Sequence, residues 1–444
     1  MENMKQSAIG SKLVDRNDII IKDDMVALGI EVKERLSKLQ ESIGMEELSM
    51  QKNTKPSIYK IPEFMREVHP KAYEPQLVSL GPYHHGKHRL LPMEREKQKG
   101  FLRFKSKNNL DFESIVERVS SILEHLLGSY DKLQDIWKLY PAKFLEVMIV
   151  DACFLLDFIT ECPQSLSSMI WDIKRDMLLL ENQLPMNLLK QLHAIRTNEQ
   201  KHLDLESMVW DWLRLSGESS MNYLHILDMY RASLLCPTIY TEDVIEKMKT
   251  ILELNPADMD ANCQSIPPAT QLRRAGIKFE KSSTSSLMDV SFDCERRMLR
   301  LPSLAIDDIL TEPTLINIMA FEKLHIGVGS QAISFVMLMK NLIRLDKDVW
   351  LLASKGILSN AIHDRDGVVQ LFNRLAKGQN KSLESRMHDL FKILNWCCNN
   401  QWTIWWANLK LPQTQNPWPV IYVATFMLPI ITTIFNDGYR RPKQ

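Results

Sequence analysis

Four histidines gather in one stretch of this 444-residue chain: His69, His84, His85 and His88. Imidazoles titrate near neutral pH and ligate metals, so such a group is where proton transfer or a metal centre is sought first. His84 and His88 stand four apart, the spacing of one helix face. Gly81, Pro82 and Gly86 argue against a helix there, and no nearby carboxylate completes a ligand set. The expected arrangement is a turn whose imidazoles bond to neighbouring backbone. Tyr83 beside them keeps one enzymatic alternative open, a hydrolase or transferase using the His/Tyr-rich segment 69–88. That alternative requires His84, His85 and Tyr83 to converge on an open pocket with a carboxylate.

A second polar group lies in DMLLLENQLP, residues 176–185. Asp176 and Glu181 are five apart, which does not put two carboxylates on one helix face. Glu181, Asn182 and Gln183 sit among leucines, and buried polar groups have to be hydrogen-bonded. The segment reads as a fold-specifying polar network rather than an acid/base pair. The seven cysteines are scattered without a CxxC, so neither a zinc site nor a thioredoxin-like motif is signalled. Adjacent Cys397 and Cys398 are candidates for acylation. Phosphate-loop, dinucleotide, zincin and nucleophile-elbow motifs are all missing. No catalytic, cofactor-binding or metal residue is nominated, and the expected class is non-enzymatic.

The elements that must position these groups are mostly helical. Apolar residues make up 45% of the chain, enough for a sizeable core, and Gly is scarce at 15 residues. Lys+Arg and Asp+Glu are both 55, so nothing global predicts nucleic-acid binding. Residues 1–22 read as a flexible terminus without signal-peptide character. Met25, Leu28, Val32, Leu36, Leu39 and Ile43 give 23–48 the period of an amphipathic helix. A large helical domain is expected over 55–410. Its Pro-rich opening precludes a long helix and suggests a short strand pair around Leu77–Leu80. The 112–137 stretch has helical spacing. Residues 141–160 are strongly apolar but carry Glu146, Asp151 and Asp157, which marks a buried core helix rather than a membrane span. Gly276–Phe279, Leu287–Phe292 and Met298–Leu301 read as a small β element at about 276–301.

Near the end, 418–435 is uncharged and about long enough to cross a bilayer, with Trp418 and Tyr422 at one interface. Pro429 interrupts it. The expected fold is therefore mainly α, a large helical domain with a small β element and one C-terminal transmembrane helix, followed by a short basic tail, 436–444. The expected partners are the lipid bilayer through 418–435 and a protein yet to be identified. The expected location is a single-pass membrane position with a cytosolic N-terminal domain. Asn380 in the sequon Asn380-Lys381-Ser382 would report sidedness.

Several blocks together resemble one family. IPEFMREVHPKAYEPQLVSLGPYHHGKHRLLPMEREK resembles the opening signature of the plant domain-of-unknown-function 247 family. DACFLLDFI (Asp151–Ile159) and DMLLLENQLP (Asp176–Pro185) are similar to its second and third signatures. IPPATQLRRAGIKF (Ile266–Phe279) resembles its next block, with Gln271 where Glu is usual. Met298–His325 is similar to its "N-l-x-A-f-E" block, and Pro417–Phe435 occupies the place of its terminal membrane helix. The resemblance runs from about residue 55 to 440 with block order kept. It implies a plant protein with a mainly helical domain and membrane association. It implies no enzyme activity. Some members are associated with pollen–stigma self-incompatibility, a role attached to none of the residues quoted. The resulting expectation is a membrane-anchored recognition or scaffold protein.

Overall fold

The computed structural model describes residues 55–197, 204–215, 222–235, 265–361, 364–379 and 383–399, and Thr425. Residues 1–56 and 57–444 fall into two units, and every helix and strand of the described residues belongs to the second.

The first half is built on the longest apolar helix. After α1 (Glu63–Val68), α2 (Leu91–Lys107), α3 (Phe112–Ser120), α4 (Leu123–Gly128) and α5 (Asp135–Leu139) comes α6, Pro141–Thr160. Pro141 opens α6 at its first position, where its ring pre-sets φ and its missing N–H costs nothing. The next helices are α7 (Ile170–Met177), α8 (Met186–Arg196), α9 (Leu205–Leu213) and α10 (Ile226–Leu234). The α6 side chains from Phe144 to Ile159 are nearly all buried, and α2, α3, α5, α8 and α9 pack round them. A short 3-10 turn, Leu180–Asn182, separates α7 from α8. Where a single helical stretch is expected over 112–137, the chain breaks into α3, α4 and α5. Asp111 caps α3, accepting from Ser114 N–H at 2.7 Å.

Gly100 sets how closely α2 and α6 approach. A Cβ there would lie 2.8 Å from the Phe154 ring and 3.1 Å from its Cα. Backbone cannot swing aside as a side-chain tip can. Gly100→Ala is therefore expected to destabilise by about 1 to 2 kcal/mol, overpacking outweighing the helix-propensity gain of about 1 kcal/mol. Gly100→Leu should cost more. Urea unfolding checks the order; equal midpoints for all three proteins would refute the close-packing account.

The second half begins with α11 (Ala269–Arg274) and the strands β1 (Lys278–Lys281), β2 (Ser291–Asp293) and β3 (Met298–Leu301). The sheet order is β1-β3-β2, with β1 parallel and β2 antiparallel to β3. Phe279, Phe292, Leu299 and Leu301 are buried, while Glu280 and Arg300 pair at 2.9 Å on the other face. The strand expected at Leu287–Phe292 forms only at its end; a turn ordered by Asp289 fills the rest, with Thr284 N–H donating to its carboxylate at 2.9 Å. Then come β4 (Leu304–Ala305), α12 (Thr311–Leu324), α13 (Gln331–Leu342), α14 (Asp346–Ser354), β5 (Leu358–Ser359), α15 (Arg365–Leu375) and α16 (Ser385–Asn399). Helix α12 packs on the Leu180–Asn182 turn and joins the two halves of one continuous core.

The chain is mainly helical, but the expected C-terminal transmembrane helix is corrected. Among the described residues no helix is long and apolar enough to cross a membrane. Helix α6 has 20 residues, yet Lys143, Glu146, Asp151 and Asp157 interrupt it, and its apolar surface is consumed by neighbouring helices. The expected single-pass location is corrected with it, since no described helix could make that crossing. The segment 418–435 itself, apart from Thr425, lies outside the described residues, as do the 23–48 helix, the 436–444 tail and Asn380.

Candidate polar junction

The extended stretches on either side of α1, 57–62 and 75–81, have almost no strand partner, so their backbone groups must be satisfied elsewhere. A bridge between Ile58 and Tyr130 is their one sheet-like contact among the described residues. The strand pair expected around Leu77–Leu80 does not form, because side chains take its place. The Asp176 carboxylate, fully buried at the end of α7, accepts from the N–H groups of Gln76, Leu77 and Val78 at 2.7 to 3.0 Å. Arg175 supports it at 2.8 Å. Asn182 accepts from Leu80 N–H at 2.8 Å and donates to the carbonyls of Val78 and Asp176. That amide thus uses its oxygen and its NH2 together.

Glu181 faces the first of these stretches. Its Oε1 accepts from Ile61 N–H at 2.8 Å and from Arg66 at 2.6 Å. His84 Nε2 lies 3.2 Å from Oε2, and both side chains are sealed from solvent. Burial opposes ionisation, but His84, Lys60 and Arg66 together hold the Glu181 carboxyl down at about 2. Burial lowers the His84 pKa more than Glu181 raises it, so the contact is neutral imidazole to carboxylate. A carboxyl depressed on folding stabilises the fold above its unfolded value of about 4.5, and that stabilisation fades as pH falls toward 2. His84, depressed as a base, acts in the same direction on acidification. Acid titration followed by tryptophan fluorescence is expected to show stability declining through this window. A flat profile would contradict it.

Gln183 donates to the carbonyls of Met177 and Leu179 and accepts from Leu227 N–H at 3.0 Å. Asn317 on α12 completes the junction. It accepts from Leu180 N–H and donates to the carbonyls of Ala72 and Pro313, each at 2.8 Å. On α6, Asp151 accepts from Gly81 N–H at 2.9 Å and from Lys97 at 2.6 Å. Gly81 has φ +74°, and a Cβ there would meet the Tyr130 hydroxyl at 2.8 Å, so glycine is required.

The histidines therefore do not assemble. His84 is inside the junction and His88 is exposed. His85 is half-buried with its ring 5.8 Å from Trp137. His69 ends α1, half-buried, its pKa lowered first by burial. Tyr83 donates to the carbonyls of Asp131 and Ile58, and its hydroxyl is held against backbone. His84 does meet a carboxylate, but both are enclosed rather than set in an open pocket. A cleft formed by the described residues lies elsewhere, lined by Leu287, Val290, Met387 and Leu390 with Glu384 and Arg386. Among the described residues no group of His, Cys, Asp or Glu is placed to hold a metal. Cys397 and Cys398 are buried on α16, and burial pushes both thiols up to about 11, the reverse of what an accessible acylation site needs.

Lys97 and Asn317 fall within the family blocks quoted above, where no role is attached to them, and Arg175 stands one residue outside. A signal for Lys97 does exist: Asp151 in an apolar helix demands a buried cation, and α2 supplies one.

The sequence of this helical chain matches one class of plant proteins. The family model of plant proteins of unknown function, DUF247, covers residues 58–431, and the chain belongs to that family. UPF0481 protein At3g47200 of Arabidopsis thaliana is 24% identical over 86% of this chain and 85% of its own length. Putative UPF0481 protein At3g02645, also from Arabidopsis thaliana, is 20% identical over 91% of this chain and 93% of its own. No solved structure matches.

Proposed function

We propose that the chain works by binding other proteins, as a recognition or scaffold component, and not by catalysis. The observation that carries this reading is the use of the polar side chains. Asp176, Glu181, Asn182, Gln183 and Asn317 all bond to backbone of distant segments, and each is buried. A catalytic acid or base has to reach substrate directly or through one water. The surface offers apolar side chains instead. Ile136, Leu139 and Tyr140 stand 54%, 73% and 63% exposed within five residues. Isolated exposed apolar residues are ordinary, but such a cluster marks an interaction site.

A photo-crosslinking amino acid at Leu139, with exposed Trp350 as the control position, tests the reading in plant cells. Discrete protein adducts from Leu139 are expected. The reading fails if the purified chain turns over a substrate and His84→Gln removes that turnover while leaving the fold intact.

A further inference from the structure

We propose that Trp171, Lys174 and Arg214 form a binding site for a small aromatic oxyanion, such as an aryl phosphate or carboxylate. The site stands apart from the α5 cluster and goes beyond the protein-binding reading. Trp171 and Lys174 lie three apart on α7, so they share a face of that helix. Trp212, the next-to-last residue of α9, and Arg214, which caps α9 at φ +55°, come from the second element. The Lys174 ammonium lies over both indoles, 4.3 Å from the Trp212 ring centre and 5.3 Å from that of Trp171. It also donates to the Trp212 carbonyl at 3.0 Å.

The group lacks a counter-charge. Lys97, Lys174, Arg175 and Arg231 are the buried Lys and Arg side chains among the described residues. Lys97 pairs with Asp151 at 2.6 Å, Arg175 with Asp176 at 2.8 Å and Arg231 with Glu322 at 3.2 Å. Lys174 has no such partner. Burial, and then the charge of Arg214, lower its pKa, and no carboxylate opposes them. Asp172 on α7 and Asp211 on α9 are the acids nearest in sequence, and neither pairs with Lys174 or Arg214. A buried cation without its counter-charge is costly, and an incoming anion removes that cost. The indole selects what carries the anion. Trp171 is 50% exposed, which leaves ring surface open for stacking. A flat ring stacks there while its anionic group reaches Lys174 and Arg214. A bare inorganic anion would leave that aromatic surface in water.

Isothermal titration calorimetry of the full chain with phenyl phosphate at low salt tests the proposal. Saturable binding is expected. Inorganic phosphate and benzyl alcohol should each bind at least about tenfold more weakly, because each carries one half of the ligand. Trp171→Ala and Arg214→Ala should each weaken binding about tenfold. Trp350→Ala, at an indole of similar exposure elsewhere, should leave it unchanged. Lys174→Met should abolish binding and keep or raise the urea midpoint of the ligand-free chain, because an uncompensated buried charge is gone. The proposal is overturned if inorganic phosphate binds as tightly as phenyl phosphate, or if Trp171→Ala and Arg214→Ala bind as the wild type does. It is overturned as well if phenyl phosphate does not bind. A lower urea midpoint for Lys174→Met in that case would show that the indoles alone satisfy the ammonium.

Discussion

Asp176→Ala is expected to lower the unfolding free energy by about 3 to 5 kcal/mol, the usual result of removing one partner from a buried charged cluster. Three backbone N–H groups lose their acceptor together, and Arg175 loses its counter-charge. Water cannot substitute, because the carboxylate is fully enclosed. The segment 76–78 has no ladder to fall back on, since it forms no strand. Asp176→Asn should lie between wild type and alanine: its one oxygen keeps part of the acceptor capacity, while its NH2 faces donors. Burial raises the Asp176 pKa against the pull of these donors, so loss of the charge alone is less costly than loss of the acceptor. Urea midpoints of the three proteins decide. An alanine variant within about 1 kcal/mol of wild type would mean that the Asp176 bonds add little to what holds 76–78 in place.

The junction also shows what was legible in the sequence. Helix α6 is visible from its length and apolar composition, because tertiary packing only has to accept it. The polar residues of 176–183 announce themselves by sitting among leucines, and the reading of them as a network rather than an acid/base pair agrees with their bonds. Their partners could not be read. Asp176 reaches back 100 residues and Asn317 reaches 245, and side chain–backbone contacts of that span leave no periodic trace. The strand expected at Leu77–Leu80 misleads for the same reason: an extended, apolar stretch reads alike whether its N–H groups meet another strand or a carboxylate. The His-rich stretch misleads in the opposite sense. Its residue types suggest chemistry, but the glycines and prolines between them send His84 inward, His88 outward and His85 against Trp137.

Lys97 supports the second large effect. Its ammonium, entirely buried, contacts Asp151 at 2.6 Å, Glu94 at 2.7 Å and the Ser79 carbonyl at 3.0 Å. Burial lowers its pKa, but Asp151 and Glu94 more than restore it. Burial also pushes the Asp151 carboxyl up to about 6 against the pull of Lys97, so at neutral pH both groups are charged. Lys97→Met leaves that carboxylate enclosed with only Gly81 N–H as a donor, and a loss of about 3 to 5 kcal/mol is expected at pH 7. The pH dependence has a definite sign. Without Lys97 the folded pKa of Asp151 rises further, so the variant's carboxyl stays protonated over a range where the wild type's is ionised. The deficit relative to wild type should therefore be smallest below about pH 6, where Asp151 is protonated in both, and widen as pH rises. Lys97→Met with Asp151→Asn should recover much of the loss, because no uncompensated charge remains and the amide still accepts from Gly81. Urea titrations at two pH values and the double-mutant cycle measure this. A deficit independent of pH, or single losses that simply add, would show that Lys97 serves through the packing of its methylenes and not through its charge.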